Sequence, residues 1–119
     1  IVCSGSATLE AAILETPMVI IYRGSGLMRL EYILRRVGRL EHVGLPNIIA
    51  GRRIVPELIA DAATPDAMAD GLLEYLLDPQ RTAAVQAELR AVRTMLGSPG
   101  ACQRTARMVL ELSREANDA

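Results

Sequence analysis

The residues best suited to chemistry in this chain stand near its start: Ser4-Gly5-Ser6-Ala7-Thr8-Leu9-Glu10, following the apolar run Ile1-Val2-Cys3. Hydroxyls at Ser4, Ser6 and Thr8 surround a glycine that lets a ligand approach the backbone closely. Read as a strand end, a tight turn and the first turn of a helix, the stretch offers N–H groups at a positive helix terminus, where phosphate is the natural guest. Glu10 lies too far in to cap the helix but is placed to accept hydrogen bonds from the paired hydroxyls of a sugar. An anion pocket with a carboxylate beside it suggests a nucleotide sugar. The same residues also meet a simpler need, because Ser and Thr favour helix N-termini and a nearby Glu complements the dipole without any ligand. The stretch is neither a dinucleotide fingerprint nor a P-loop: no glycine stands two residues after Gly5, and no Gly-Lys-Ser/Thr follows.

The elements around it read as α/β. Ala7 to Glu15 predicts a short helix with Leu9, Ala11, Ala12 and Ile13 turned to a sheet, stopped by Thr16-Pro17. Met18 to Tyr22 is a continuous, partly β-branched apolar run, as in a parallel strand covered on both faces. Strand, helix and strand in so short a span form half of a doubly wound unit, whose ligands gather at the carboxyl ends of the strands, here Cys3-Ser4 and Tyr22-Arg23. Arg23 would reach a phosphate in that crevice.

Leu27 to Val37 predicts an amphipathic helix with Arg29, Arg35 and Arg36 off its apolar stripe, which suits a wet face on a core helix or a membrane surface. His42 to Leu45 reads as a short, weak strand, Pro46 to Arg53 as a packed-down loop needing burial for Ile48 and Ile49, and Ile54 to Ala60 as a segment with Pro56 at a helix start. In the loop, Asn47 suits a turn or a cap, and Gly51 permits an unusual backbone angle. Three helices with ordinary caps follow over 64–116: from Thr64-Pro65 to about Leu77, from Asp78-Pro79 to about Leu96 with Gly97 closing it, and from Ser98-Pro99 to about Ala116. Residues 1–60 thus hold the α/β part with the motifs, and 64–116 hold helical scaffolding.

With 119 residues, 50% hydrophobic and without Phe or Trp, the core must be built from Leu, Ile, Val, Met and Ala. The chain opens inside an apolar run without an initiator Met, which leads us to expect a fragment. All thirteen cations are Arg; seven of them lie between Arg23 and Arg53 against Glu31 and Glu41, a local net charge of +5. Such a patch meets phosphate or an anionic membrane surface, or is simply a solvated face, and nothing in it calls for nucleic acid. Cys3 and Cys102 stand apart without His or Cys at ligand spacing, which predicts buried thiols in a reducing compartment and no metal site. No run approaches the roughly 18 apolar residues of a membrane span.

Taken in order, Ser4-Gly5-Ser6-Ala7-Thr8-Leu9-Glu10, Thr16-Pro17-Met18-Val19, Tyr22-Arg23, Leu45-Pro46-Asn47-Ile48-Ile49-Ala50-Gly51-Arg52 and Val55-Pro56-Glu57-Leu58 resemble the C-terminal end of the lipid-A-disaccharide synthases, bacterial glycosyltransferases of GT-B type. The second long motif is the more specific; Ser6 stands where the family usually has Thr, which keeps the hydroxyl. The resemblance implies two Rossmann-like domains around a cleft, this chain being part of the C-terminal, donor-binding one. It implies condensation of UDP-2,3-diacylglucosamine with 2,3-diacylglucosamine 1-phosphate to the lipid A disaccharide 1-phosphate and UDP, without metal or other cofactor. Carried over, Ser4, Gly5, Ser6, Ala7 and Thr8 would cradle the diphosphate, Glu10 would accept the ribose hydroxyls, and Tyr22, Arg23, Asn47 and Arg52 would line the cleft.

The resemblance places the general base, most acyl-chain contacts and part of the uracil site outside this chain, so no catalytic residue is expected within it. It further implies a bacterial cytoplasmic enzyme, peripheral at the inner face of the inner membrane. Unpartnered sheet edges and an apolar helix face predict a homodimer, with exchange of the C-terminal helices as one arrangement. Two other readings stay open: a different UDP-sugar enzyme of GT-B type, such as an undecaprenyl-linked N-acetylglucosaminyltransferase or a UDP-N-acetylglucosamine epimerase, and a non-catalytic module binding membranes or a partner.

Overall fold

A computed structural model describes residues 1–23 and 42–117. The helix expected over Leu27 to Val37, with Arg29, Arg35 and Arg36, lies outside the described residues.

The two apolar runs at the start pair as expected. Strand β1 (Val2–Cys3) and strand β2 (Ile20–Tyr22) are parallel, with Val2 opposite Ile20 and Cys3 opposite Ile21, and helix α1 (Ser6–Ile13) crosses between them. Continuous hydrophobicity suits β2 because it is the central strand: a third parallel strand, β3 (Glu57–Ile59), pairs with its other edge, Ile20 opposite Glu57 and Tyr22 opposite Ile59.

That third strand corrects the helix start expected at Pro56. The Pro56 carbonyl accepts a hydrogen bond of 2.9 Å from the Ile20 N–H. Proline lacks a donor but loses nothing at the entry to a strand, and the open edge of β2 outweighs the local preference of proline for a helix start. The weak strand expected over His42 to Leu45 and the loop expected over Pro46 to Arg53 are corrected as well. Leu45–Ala50 is a helix, α2, with Pro46 in its first turn and Gly51 closing it in the left-handed region at φ 64°. Gly44 precedes it, because a Cβ there would stand 2.3 Å from Ile20 Cδ1 and a strand side chain would not fit.

A short 3₁₀ turn, Ala60–Ala62, leads to the helices α3 (Pro65–Leu77), α4 (Pro79–Met95) and α5 (Ala101–Asn117). Thr64 caps α3, its hydroxyl accepting from Ala67 N–H at 3.2 Å, and Asp78 caps α4, accepting from Gln80 and Arg81 N–H at 2.9 Å each. Helix α4 packs on α1, α2 and α3, and its Val85, Leu89 and Val92 meet Ala12, Met18, Ile20, Ile54 and Val55 in the core. At Gly71 a Cβ would lie 2.9 Å from a Val19 methyl, and the Tyr75 hydroxyl donates to the Met18 carbonyl at 3.2 Å, so α3 is fixed on β2. Burial pushes the Tyr75 phenol pKa up.

Three smaller expectations are corrected. Cys3 and Cys102 are exposed thiols, Cys3 at the end of the edge strand β1 and Cys102 on α5, where every described side chain is exposed. Ile48 is exposed although Ile49 packs on the core, because a single turn of helix turns consecutive residues to different sides. Ile13 is exposed too, at the end of α1 where the helix leaves the sheet.

Candidate functional site

Three strands running the same way bring their carboxyl ends to one edge, and the residues singled out at Ser4 and Tyr22-Arg23 follow β1 and β2 there. Ser4 N–H continues the ladder by donating to the Ile21 carbonyl at 2.8 Å. Tyr22 is half-buried and Arg23 exposed. Gly5 then turns the chain into α1 at φ 147° and ψ −167°, a conformation open essentially only to glycine. Had the residue been any other, strand and helix would not join at this angle.

The hydroxyls of the turn fall into two groups. Thr8 is fully buried, and its Oγ1 donates to the Gly5 carbonyl at 2.7 Å, closing the turn from inside. Ser4 Oγ donates to the Val43 carbonyl at 2.9 Å, across 39 positions of sequence. Both hydroxyls therefore hold the turn in shape. Ser6, Ala7 and Glu10 are exposed, and Ser6 and Glu10, four apart on α1, share one face. The N–H groups of Ser6 and Ala7 lie in the first turn, where an α-helix offers no intrahelical partner.

The N-terminus of α1 differs from those of α3 and α4. Helices α3 and α4 carry Thr64 and Asp78 as caps. Helix α2 receives its anion from β3: Glu57 Oε1 accepts from Gly44 N–H at 2.8 Å and Oε2 from Val43 N–H at 3.0 Å. Helix α1 has neither a side-chain cap nor an acidic residue in its first turn. Its positive end lies at the carboxyl edge of the sheet.

Asn47 lies behind this edge. It is fully buried, its Nδ2 donating to the Val55 carbonyl at 2.9 Å and to Glu57 Oε1 at 2.8 Å, its Oδ1 accepting from Ile54 and Val55 N–H at 2.8 and 3.0 Å. With its amide bonded on all sides, Asn47 locks α2 to the segment entering β3. Arg52, exposed, pairs with Glu88 of α4, and Arg53 donates to the Glu57 carbonyl at 3.3 Å. The structure thus brings Ser4, Tyr22 and Arg23 to one edge, holds Asn47 in the core at the entry to β3, and turns Arg52 toward α4.

Glu57 and Gly44 are the residues that sequence reasoning passed over. A lone carboxylate within the apolar run Ile54 to Ile59 was a usable signal, since such a group must find donors when its neighbours are buried. Among the described residues no three His, Cys, Asp or Glu side chains cluster as ligands for a metal ion, and no helix is long and apolar enough to cross a membrane.

The family model for lipid-A-disaccharide synthetase matches residues 1–112. The chain is similar to the lipid-A-disaccharide synthase of Syntrophus aciditrophicus, 44% identical over 117 residues that make up 98% of this chain and 30% of that protein. It is similar also to the synthases of Geobacter metallireducens, 46% identical over 92% of this chain and 28% of that protein, and of Burkholderia mallei, 55% identical over 66% and 20%. The chain therefore spans about 30% of the length of these curated relatives. No solved structure matches it. A glycine-turned, uncapped helix at the carboxyl edge of a parallel sheet, within a sequence matched by the family model almost from end to end, identifies the chain as a member of the lipid-A-disaccharide synthetase family.

Proposed function

We propose that this chain supplies the donor-binding part of a hexosyltransferase that condenses UDP-2,3-diacylglucosamine with 2,3-diacylglucosamine 1-phosphate, giving the lipid A disaccharide 1-phosphate and UDP. The observation that carries the reading is the N-terminus of α1, which opens at the carboxyl edge of the sheet without the side-chain cap that α3 and α4 carry. Its Ser6 and Ala7 N–H groups and the Ser6 hydroxyl receive the diphosphate, and its dipole stabilises the charge that grows on UDP as the sugar leaves. Glu10, on the face of Ser6, accepts the ribose hydroxyls; Arg23 lies at the phosphate and Tyr22 and Arg52 at the borders of a GT-B cleft. Ser4, Thr8 and Asn47 act from behind by fixing the backbone. The general base belongs to the part of the family's length that this chain does not span.

The wider assembly follows the same reading. A net-basic stretch from Arg23 to Arg53 favours an anionic membrane face, at the cytoplasmic side of the bacterial inner membrane. Met108, Val109 and Leu112 are exposed on α5, which favours a homodimer in which these helices are exchanged. The test is donor turnover by the full-length protein containing this chain. Glu10→Ala should raise KM for the UDP-sugar about tenfold, as loss of a charged hydrogen bond would, and the isolated chain should form no disaccharide. An unchanged KM in Glu10→Ala, or disaccharide made by the isolated chain, overturns the reading.

A further inference from the structure

Glu57 is a carboxylate that no part of the proposed chemistry uses. It sits on β3, opposite Ile20, and accepts from three donors: Val43 N–H at 3.0 Å, Gly44 N–H at 2.8 Å and Asn47 Nδ2 at 2.8 Å. The Val43 whose N–H it holds is also the residue whose carbonyl accepts the Ser4 hydroxyl at 2.9 Å. One peptide segment, Val43-Gly44, is thus gripped from β3 on its N–H side and grips the turn after β1 on its carbonyl side. The segment has no room to slide, because Gly44 is pressed on Ile20 and a Cβ there would also stand 3.0 Å from Glu57 Oε1.

We infer that Glu57 is a positioning residue for the donor site: through Val43 it sets the place of Ser4, and through Ser4 the angle at which Gly5 presents the N–H groups of Ser6 and Ala7. The inference rests on the proposed binding of the diphosphate at α1. Its chemistry requires a charged acceptor, because both carboxylate oxygens face N–H donors. In Glu57→Gln one of the two becomes an amide nitrogen, which turns a donor toward Val43 or Gly44 and frees that peptide. Steric shape is conserved in the change.

The experiment uses the full-length protein containing this chain, with UDP as probe and amide spectra as readout. Glu57→Gln should weaken UDP about tenfold, the scale of one hydrogen bond to a charged group, and should shift the amides of Ser6 and Ala7 in ligand-free protein as well as those of Val43 and Gly44. Ser4→Ala, which removes one half-exposed hydroxyl and leaves the core intact, should produce the same shifts at Ser6 and Ala7. The double variant should bind no worse than the weaker single one, since both cut the same link. Effects that multiply overturn the inference, as does a Glu57→Gln protein with Ser6 and Ala7 amides in place. Should the wild-type full-length protein bind no UDP, the donor reading fails on that result. The ligand-free shifts then decide the positioning alone, movement at Ser6 and Ala7 supporting it and unmoved amides refuting it.

Discussion

The hydroxyl of Ser4 reaches 2.9 Å to the carbonyl of Val43, tying the turn after β1 to the residue two places before the Leu45–Arg52 motif. That turn ends β1 and opens α1; the motif forms α2 and leads toward β3. The Ser4–Val43 bond therefore couples the turn that opens α1 to the segment that leads into α2.

Gly5 tests the turn. At φ 147° a side chain is strained whatever the space around it, and a Cβ there meets nothing within 4 Å, so Gly5→Ala isolates the backbone cost. We expect a loss of about 1–3 kcal/mol, read by urea denaturation, with UDP affinity lowered beside it. Unchanged stability would show that the turn relaxes into another conformation.

Gly44 fails for the opposite reason. Gly44→Ala drives a methyl into Ile20 Cδ1 at 2.3 Å, and overpacking of this kind costs about 1–3 kcal/mol. Ile20→Val removes the offending carbon, so the double variant should recover part of the stability lost by the first. Strictly additive losses would place the damage elsewhere.

Asn47→Ala removes partners from the Ile54 and Val55 N–H groups, the Val55 carbonyl and Glu57 Oε1 at once. Orphaned buried groups cost about 1–3 kcal/mol each where water cannot reach them, so this variant should be among the least stable single changes in the chain. A change of UDP affinity without any change in denaturation midpoint would instead give Asn47 a direct part in binding.

Acid should loosen the end of α1. Glu15 accepts from Arg90 at 2.7 Å and from Arg93 at 3.4 Å, and the Arg90 hydrogen bond holds its carboxyl below the usual value of 4.5 while raising that of Arg90. A carboxylate whose folded pKa is lowered stabilises the fold above its unfolded value and loses that contribution as pH falls through the folded one. The melting temperatures of wild type and Arg90→Met should therefore differ at neutral pH and converge in acid, as the pH falls below the usual carboxylate range. A constant gap across that range would show that Arg90 acts by packing alone.

Much of this was legible because local and tertiary preferences agree. Thr64 and Asp78 cap helices as their types predict, and the β-branched run before Tyr22 is buried on both faces. Disagreement produced the errors. Pro56 reads locally as a helix start, yet the strand after it is specified by the free edge of β2, which lies 34 residues away at Tyr22 and leaves no mark near Pro56. The roles of Ser4 and Thr8 were hidden similarly: a hydroxyl that binds a ligand and one that locks a turn have the same sequence signature, and only the Val43 and Gly5 carbonyls separate them.

The most direct test is an amide titration of the full-length protein containing this chain with UDP, set against uridine, which has the ribose and base without the diphosphate. The account predicts that UDP moves the amides of Gly5, Ser6 and Ala7, that uridine leaves them in place, and that Glu10→Ala weakens UDP about tenfold. UDP that binds without moving these three amides, or no binding at all, would contradict the assignment of the uncapped end of α1 as the diphosphate site.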